Sequence, residues 1–188
     1  MNIPNALTIL RLFLVPVFVL LYGNGDDFVM RIWASIVFVL ASLTDILDGY
    51  IARKYNLITD FGKLADPIAD KLMQLSAIGC LTLNGRIAFW ILGLFALKEL
   101  VMILGGLSLL KEKFVVQSKW SGKVATVVLF VCVTVILVLD ESVLPMNGAT
   151  MLMTLAIFAT IIAFFDYAKM FLKVKENVTK SRENKEKK

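Results

Sequence analysis

The residues best suited to chemistry are four aspartates in two neighbouring apolar segments. Asp45 and Asp48 are three positions apart, and Asp66 and Asp70 are four apart. On a helix both spacings place the pair on one face, so two antiparallel helices joined by a short loop can direct all four carboxylates to one point. Ionisable groups inside membrane segments are costly and commonly functional. No adjacent set of basic residues within the two segments neutralises all four charges, so we expect a bound divalent cation, and all-oxygen ligands favour Mg²⁺, Mn²⁺ or Ca²⁺.

Small and basic residues beside the aspartates suit a phosphorylated ligand. Gly49 and Ala52 follow Asp48, and Gly62 opens the second segment, so a ligand has room to approach the backbone at these positions. Arg53 supplies a planar fork that matches phosphate geometry. This combination favours a substrate that carries a diphosphate. Two alternatives stay open: the aspartates form structural polar contacts, or they line a path for ions or protons.

The composition indicates a membrane protein. Of the 188 residues, 59% are apolar and 19% are charged, against about 45–50% and about 25% in soluble domains. The absence of histidine excludes imidazole bases, His-ligated metals and Ser-His triads. Cys80 and Cys132 lie in apolar runs and are expected to be small buried hydrophobic residues. We expect membrane lipids around the chain and no nucleic acid as a partner.

Six continuous apolar segments approach the length of about 20 residues that a spanning helix needs. They cover residues 6–22, 28–47, 67–83, 87–110, 120–139 and 146–172. Helices satisfy the backbone hydrogen bonds of such segments in lipid. We therefore predict an all-α bundle of six transmembrane helices that forms one domain over residues 1–173. Residues 174–188 are predicted to be a charged tail that is solvated or touches lipid headgroups.

The charges between the segments predict the orientation. The loops after the second and fourth segments are basic, containing Arg53, Lys54, Lys63, Lys111, Lys113, Lys119 and Lys123, and the C-terminal tail is also rich in lysine. Basic loops remain on the cytoplasmic side. The pattern predicts a multi-pass protein of the cell membrane with both termini and the acidic cluster facing the cytoplasm.

The acidic residues and their neighbours form one extended pattern. It reads Asp45-x2-Asp48-Gly49-x2-Ala52-Arg53-x8-Gly62-x3-Asp66-x3-Asp70. This pattern resembles the signature of the CDP-alcohol phosphatidyltransferases at all eight fixed residues. The resemblance implies a homodimeric six-helix membrane enzyme that transfers a phosphatidyl group from a CDP-lipid to an alcohol and releases CMP.

The same resemblance implies a role for each matching residue. Asp45, Asp48 and Asp66 would be metal ligands, in a site where two ions (Mg²⁺ or Mn²⁺) bridge the carboxylates and the diphosphate of CDP-diacylglycerol. Asp70 would bind metal and help to deprotonate the acceptor hydroxyl. The CMP portion would lie against Asp48, Gly49, Ala52, Arg53 and Gly62.

Two further stretches bear on the acceptor. Asn2-Ile3-Pro4-Asn5-Ala6-Leu7-Thr8-x2-Arg11 is similar to the start of the branch that uses glycerol 3-phosphate, and Arg11 either snorkels to headgroups or points inward at a phosphate. Ser118-Lys119-Trp120-Ser121-Gly122-Lys123-x2-Thr126 resembles an element of the same branch. Lys119 and Lys123 share a helical face and favour a charged acceptor, unless they only anchor the helix at the membrane surface.

One position departs from that branch. Lys98-Glu99 stands where an Arg-Glu pair is typical. Adjacent helical residues point about 100° apart, so each is expected to need a partner on another helix. We predict phosphatidyl transfer from CDP-diacylglycerol to glycerol 3-phosphate. The alternatives are a cardiolipin synthase that uses phosphatidylglycerol and, in a different class, a cation transporter that uses the aspartates.

Overall fold

The fold is all-helical. A computed structural model describes residues 2–23, 28–55, 59–111 and 120–186, and six α-helices make up nearly all of these residues. The helices are α1 (Ile3–Gly23), α2 (Phe28–Lys54), α3 (Asp60–Leu83), α4 (Phe89–Lys111), α5 (Trp120–Val138) and α6 (Met146–Glu186). Each predicted apolar segment corresponds to one helix, so the all-α prediction is confirmed.

The start of α3 differs most from its predicted segment. The helix begins at Asp60, whereas the apolar run begins at residue 67. Thr59 caps it with an extended backbone (φ −113°, ψ 154°), and its Oγ1 accepts a hydrogen bond from the Gly62 amide at 3.0 Å. Such a cap satisfies one of the free amides of the first turn. Hydropathy does not detect the first two turns of α3 because charged residues occupy much of them.

Several helices can cross a membrane. Within the described residues, four helical stretches are long and apolar enough, namely Pro4–Gly23, Phe28–Ala52, Trp120–Val138 and Met146–Asp166. The helices α3 and α4 are 24 and 23 residues long but are not among these four. Polar and charged residues open α3, including two of the four clustered aspartates. The chain is therefore a helical membrane protein in which α3 brings charge into the bundle.

The helices pack around an aromatic centre. α1 contacts α2 and α3, α2 also contacts α5, α5 packs on α6, and α4 lies against α3 and α6. The rings of Phe18 and Phe38 are 6.0 Å apart, and Phe38 stacks on Phe130 at 5.7 Å. Close packing of this kind holds helices together in lipid, where burial from water contributes little. Cys80 and Cys132 are buried free thiols within the same core, as predicted.

Charged groups link the helices at one end of the bundle. Arg31 at the start of α2 binds Asp140, in the α5–α6 loop, at 2.5 Å. Arg86 donates to the carbonyl of Leu139 at 2.6 Å, close to the end of α5. Arg86 follows Gly85, whose positive φ of 69° makes the tight turn after α3. The apolar middle is thus closed at this end by arginines.

The last helix is much longer than the others. α6 has 41 residues and continues without a break past residue 173 to Glu186. At 1.5 Å per residue its length is about 60 Å, roughly twice the hydrocarbon thickness of a bilayer. A large part of α6 must therefore lie outside the hydrocarbon, and its helical backbone includes most of the predicted tail.

Candidate active site

The four aspartates lie at the end of the bundle opposite Arg31 and Arg86. Residues early in α1 bind residues late in α2, so these two helices are antiparallel. The first turns of α3 lie beside the start of α1. We call the region around Asp45, Asp48, Asp66 and Asp70 the acidic end. As the spacing predicted, two helices supply the carboxylates in pairs.

Arg11 of α1 joins the two acids of α2. Its Nη1 lies 2.6 Å from Asp45 Oδ1, and its Nη2 donates to Asp48 Oδ2. The Arg11 and Asp48 side chains are 1% and 3% exposed, whereas Asp45 is 40% exposed. The residues of α2 and α3 were not expected to neutralise the four acids, and a counter-charge comes instead from α1. Arg11 points inward, as one of its two predicted orientations requires, but its guanidinium already binds two carboxylates.

The two acids of α3 bind polar neighbours. The Thr8 hydroxyl donates to Asp66 Oδ1, so α1 also holds this acid. Asp70 Oδ1 accepts from the Gln74 amide nitrogen at 2.8 Å, and Asp70 Oδ2 lies 3.8 Å from Lys71 Nζ. Each of the four carboxylates therefore has a partner within the protein.

The acidic end fits a divalent cation by the chemistry of its donors. In the described part of the chain no three metal-ligating side chains are arranged around one point. The carboxylates are nevertheless close enough that the charges of Asp66 and Asp70 act on Asp45, and those of Asp45 and Asp66 act on Asp48. Arg11 offsets only one of the four negative charges. Carboxylate oxygens in excess are what Mg²⁺ and Mn²⁺ bind.

A cavity of about 360 Å³ opens beside the acids, between α2, α3 and α5. Asp45, Asp70, Arg11 and Lys123 line its polar part, together with Gln74. Deeper in the cavity the walls are apolar and consist of side chains such as Phe38, Met73 and Phe130. The cavity therefore combines a charged region with an apolar interior, which suits an amphiphilic ligand or a substrate that is partly buried in lipid.

The small residues of the motif lie close to the acids. Gly62 is buried, and a Cβ added there would meet Thr59 Oγ1 at 3.2 Å, Asn5 Oδ1 at 3.4 Å and Asp66 Oδ2 at 3.5 Å. A side chain at Gly62 would thus crowd the protein's own oxygens, chiefly Thr59 Oγ1. Gly49 and Ala52 lie on the last turns of α2, directly after Asp48.

Two predicted basic ligands fall outside what the structure describes. Lys119 precedes α5 and lies outside the described residues, and only the backbone of Arg53 is described. Lys123, four positions after Lys119, lines the cavity, with its Nζ 5.5 Å from the centre of the Trp120 ring. Of the predicted acceptor ligands, the structure therefore brings Lys123 and Arg11 to the same cavity.

Glu99 of the Lys98-Glu99 pair has a partner on another helix, as expected. Lys71 Nζ of α3 lies 3.2 Å from Glu99 Oε1. Contrary to the expectation from the 100° separation, Lys98 Nζ also binds Glu99 Oε1, at 2.5 Å. The flexible lysine stem allows this contact, which the helical angle between the two Cβ atoms does not exclude. Glu99 thus links α4 to α3 next to Asp70.

Several polar residues that position the acids were not predicted as site residues. Thr8 lies three and Asn5 six positions before Arg11, so together the three residues form a polar edge on α1. Asn5 Oδ1 accepts from the Thr59 hydroxyl at 2.7 Å, which ties α1 to the cap of α3. The three-residue spacing was a usable signal. Gln74 was also recognisable, because it lies one turn after Asp70.

The chain is similar to proteins of one known family. The profile of the CDP-alcohol phosphatidyltransferase family matches residues 1–166. A probable phosphatidylglycerophosphate synthase of Mycobacterium tuberculosis (strain CDC 1551 / Oshkosh) is 36% identical over 173 residues, covering 88% of this chain and 79% of the relative. A CDP-diacylglycerol–glycerol-3-phosphate 3-phosphatidyltransferase of Bacillus subtilis (strain 168) is 31% identical, covering 88% of this chain and 93% of the relative.

A third relative is more similar over a shorter stretch. The protein of the same name from Rickettsia typhi (strain ATCC VR-144 / Wilmington) is 52% identical over 82 residues, which cover 44% of this chain and 43% of the relative. The family profile, by contrast, begins at residue 1, ahead of α1, and ends at residue 166, about half-way along α6. Since that match includes all four aspartates and the helices that carry them, this membrane protein is an enzyme of the CDP-alcohol phosphatidyltransferase family.

Proposed function

We propose that this chain transfers the phosphatidyl group of CDP-diacylglycerol to glycerol 3-phosphate, which gives phosphatidylglycerophosphate and CMP in phospholipid biosynthesis. The observation that carries the proposal is that Asp45, Asp70 and Lys123 line one cavity. The carboxylates suit a metal-bound diphosphate, and the ammonium group offers a positive charge to the phosphate of the acceptor. The names of the three relatives support the same reaction.

The family is generally dependent on a divalent metal. We assign the ligands to Asp45, Asp48, Asp66 and Asp70, with two Mg²⁺ or Mn²⁺ ions as the expected occupants. Bound metal supplies Lewis-acid stabilisation of the diphosphate charge. The CMP portion is assigned to the adjoining residues Asp48, Gly49, Ala52, Arg53 and Gly62.

Asp70 is proposed to take the proton of the acceptor. The acceptor hydroxyl oxygen forms a bond to the phosphorus that carries diacylglycerol, and the bond from that phosphorus to the oxygen of CMP breaks. CMP leaves with the electron pair, and the hydroxyl proton passes to a carboxylate. Asp70 suits this step because it lines the cavity, and the hydrogen bond from Gln74 to its Oδ1 orients the carboxylate.

The acceptor phosphate is assigned to Lys123 and Lys119, with Arg11 as a further predicted ligand. Lys123 supports this assignment by its place on the cavity wall. Arg11 lines the same cavity but is held by Asp45 and Asp48, so it contacts a phosphate only after leaving them.

The membrane arrangement is proposed from the charges. All six helices are taken to span the bilayer, with both termini and the acidic end on the cytoplasmic side. The lysines at the acidic end, such as Lys54 and Lys123, support this orientation. We further propose a homodimer, a one-domain membrane unit over residues 1–173 and a tail over residues 174–188.

The direct experiment measures CMP release from CDP-diacylglycerol by the purified protein in nanodiscs with Mg²⁺ or Mn²⁺. Glycerol 3-phosphate, phosphatidylglycerol and no acceptor are compared. Release that requires glycerol 3-phosphate is the expected result. Release with phosphatidylglycerol alone would identify a cardiolipin synthase. No release with any acceptor, from protein that is folded by thermal melting, would contradict the proposal and favour cation transport.

The metal assignment is tested by Asp66→Asn. Because metal stabilises transition-state charge by several kcal/mol, losing a ligand should lower kcat by roughly a hundredfold or more. Asparagine still accepts the Thr8 hydrogen bond, so the melting temperature should change little. Asp140→Asn, at the other end of the bundle, is the matched control and should retain kcat. Full activity of Asp66→Asn would remove Asp66 from the metal site.

A further inference from the structure

We propose that Arg11 is a built-in counter-cation for Asp45 and Asp48, and that binding of divalent metal displaces it. The proposal rests on the metal site assigned above. Its basis is that the Arg11 guanidinium occupies both carboxylates of α2, with one nitrogen on each acid. At 1% exposure, the guanidinium itself is shielded from water.

The guanidinium keeps the acidic end stable when no metal is bound. Asp48 is almost fully buried, and a buried carboxylate without a partner is strongly unfavourable. Arginine suits this position because its planar fork reaches two carboxylates at once and stays charged when it is buried. A metal ion would satisfy the same two acids by the same electrostatic means.

Metal and guanidinium compete because both need the same oxygens. The guanidinium takes Asp45 Oδ1 and Asp48 Oδ2, so one oxygen of each acid is unavailable to an ion. Mg²⁺ binds oxygen at about 2.0–2.1 Å in near-octahedral geometry and tolerates little distortion. Two cations bound to one pair of carboxylates also repel each other, and this repulsion is strong where water is largely excluded.

Displacement of Arg11 requires only a movement of its side chain, because the backbone of α1 is held in place. Asn5 binds Thr59, and Thr8 binds Asp66. These two contacts hold the part of α1 that precedes Arg11 against the start of α3. The Arg11 side chain also lines the cavity. It can therefore leave the carboxylates for the cavity while α1 stays in place.

The experiment compares Mn²⁺ binding by the parent and by Arg11→Gln in nanodiscs without substrate, using electron paramagnetic resonance of free Mn²⁺. Removing the competing charge should tighten Mn²⁺ binding by roughly ten- to a hundredfold, the usual range for coupled binding. If Arg11 instead preorganises the acids for metal, Arg11→Gln will bind Mn²⁺ more weakly. Equal or weaker binding overturns the proposal.

Thermal melting supplies a second readout. Without metal, Arg11→Gln should melt well below the parent, and saturating Mn²⁺ should raise its melting temperature more than that of the parent. Arg31→Gln is the matched control, because Arg31 also pairs an aspartate but lies at the opposite end of α2. It should lose stability with no change in the Mn²⁺ effect. An equal Mn²⁺ shift in the parent and Arg11→Gln contradicts displacement.

Arg11→Lys keeps the test decisive if the glutamine variant does not fold. A single ammonium group engages one carboxylate where the guanidinium engages two, so Mn²⁺ should bind several-fold more tightly than to the parent. Unchanged affinity overturns the inference. CMP release by the parent is measured separately. If the parent is active and the Arg11 variants bind Mn²⁺ with the affinity of the parent, only the proposed role of Arg11 is refuted. A parent that binds no Mn²⁺ refutes both that role and the metal assignment.

Discussion

Lys123 is the side chain through which choice of acceptor is most directly tested. It lines the same cavity as Asp45 and Asp70, where an ammonium group can bind the phosphate of glycerol 3-phosphate. A hydrogen bond to a charged group is worth about 1.5–3 kcal/mol. We therefore expect Lys123→Ala to raise KM for glycerol 3-phosphate by roughly ten- to a hundredfold, with KM for CDP-diacylglycerol nearly unchanged.

Initial rates of CMP release with each substrate varied in turn measure this effect. Lys54→Ala is the matched control, since Lys54 lies at the same end of the bundle beside the rings of Tyr50 and Tyr55. It should leave both constants unchanged. An equal rise in both constants for Lys123→Ala would show that the lysine does not select the acceptor.

The pairing of the aspartates on two helices was predictable from sequence, whereas the side chains that bind them were only partly predictable. Spacing alone placed Asp45 with Asp48 and Asp66 with Asp70, because helical geometry fixes which residues share a face. Spacing does not state which side chain of a third helix reaches them. The pairing of Arg11 with both acids of α2 depends on how α1 packs, and packing is a property of the folded bundle.

Thr59 determines where α3 begins and also binds α1. Its Oγ1 accepts from the Gly62 amide at 3.0 Å, and its hydroxyl donates to Asn5 at 2.7 Å. Losing an N-cap costs about 1 kcal/mol, and losing the second hydrogen bond costs about as much again. We expect Thr59→Ala to lower the melting temperature by several degrees.

Differential scanning calorimetry of the protein in detergent measures the change. Thr59→Ser retains the hydroxyl and should melt within about a degree of the parent, given that capping by serine and threonine is similar. If serine is as harmful as alanine, the methyl group rather than the hydroxyl stabilises this region, and the capping argument fails.

Helix positions were predicted well where the sequence is apolar and poorly where polar residues form helix. The start of α3 at Asp60 and the end of α2 at Lys54 both lie beyond the apolar runs. Hydropathy detects the part of a helix that prefers lipid, whereas backbone and capping hydrogen bonds determine where the helix begins and ends. Asp48 and Asp66 lie in this margin, which explains why the acidic end was predicted from motif spacing and not from hydropathy.

The ion pair between Arg31 and Asp140, at the end of the bundle opposite the acidic end, makes the stability of the fold depend on pH. The Arg31 guanidinium, assisted by the Ser142 amide, lowers the pKa of Asp140 from its ordinary value of 3.8 to about 2. A depressed folded-state pKa stabilises the fold above the unfolded value, and the contribution is lost as pH falls from about 3.8 to about 2. We expect melting temperature to fall over that window.

Asp140→Asn separates this contribution from that of the other acids. The difference in melting temperature between parent and variant should be largest above pH 4 and should shrink towards pH 2, because a protonated Asp140 no longer forms the ion pair. Asp140 lies in the loop after α5, away from the cavity. A constant difference across the window would show that the Arg31 pair does not titrate as inferred.

The packing arrangement of the six helices was harder to predict from sequence than the helices themselves. Six apolar runs predicted six helices, but runs of similar hydropathy do not specify their neighbours. In the structure, α2 contacts α1, α3 and α5, and this central place lets one cavity combine Asp45 of α2, Asp70 of α3 and Lys123 of α5. Those contacts depend on complementary surfaces such as the Phe38–Phe130 stack.

The three polar links from α1 have a consequence for the lipid around the enzyme. Asn5, Thr8 and Arg11 share the backbone of α1, so a change in the tilt of α1 shifts all three of its links to α2 and α3. The thickness of the surrounding bilayer influences the tilt of a spanning helix. We therefore expect turnover to depend on acyl-chain length, so that rates measured in different vesicles should be compared at matched hydrocarbon thickness.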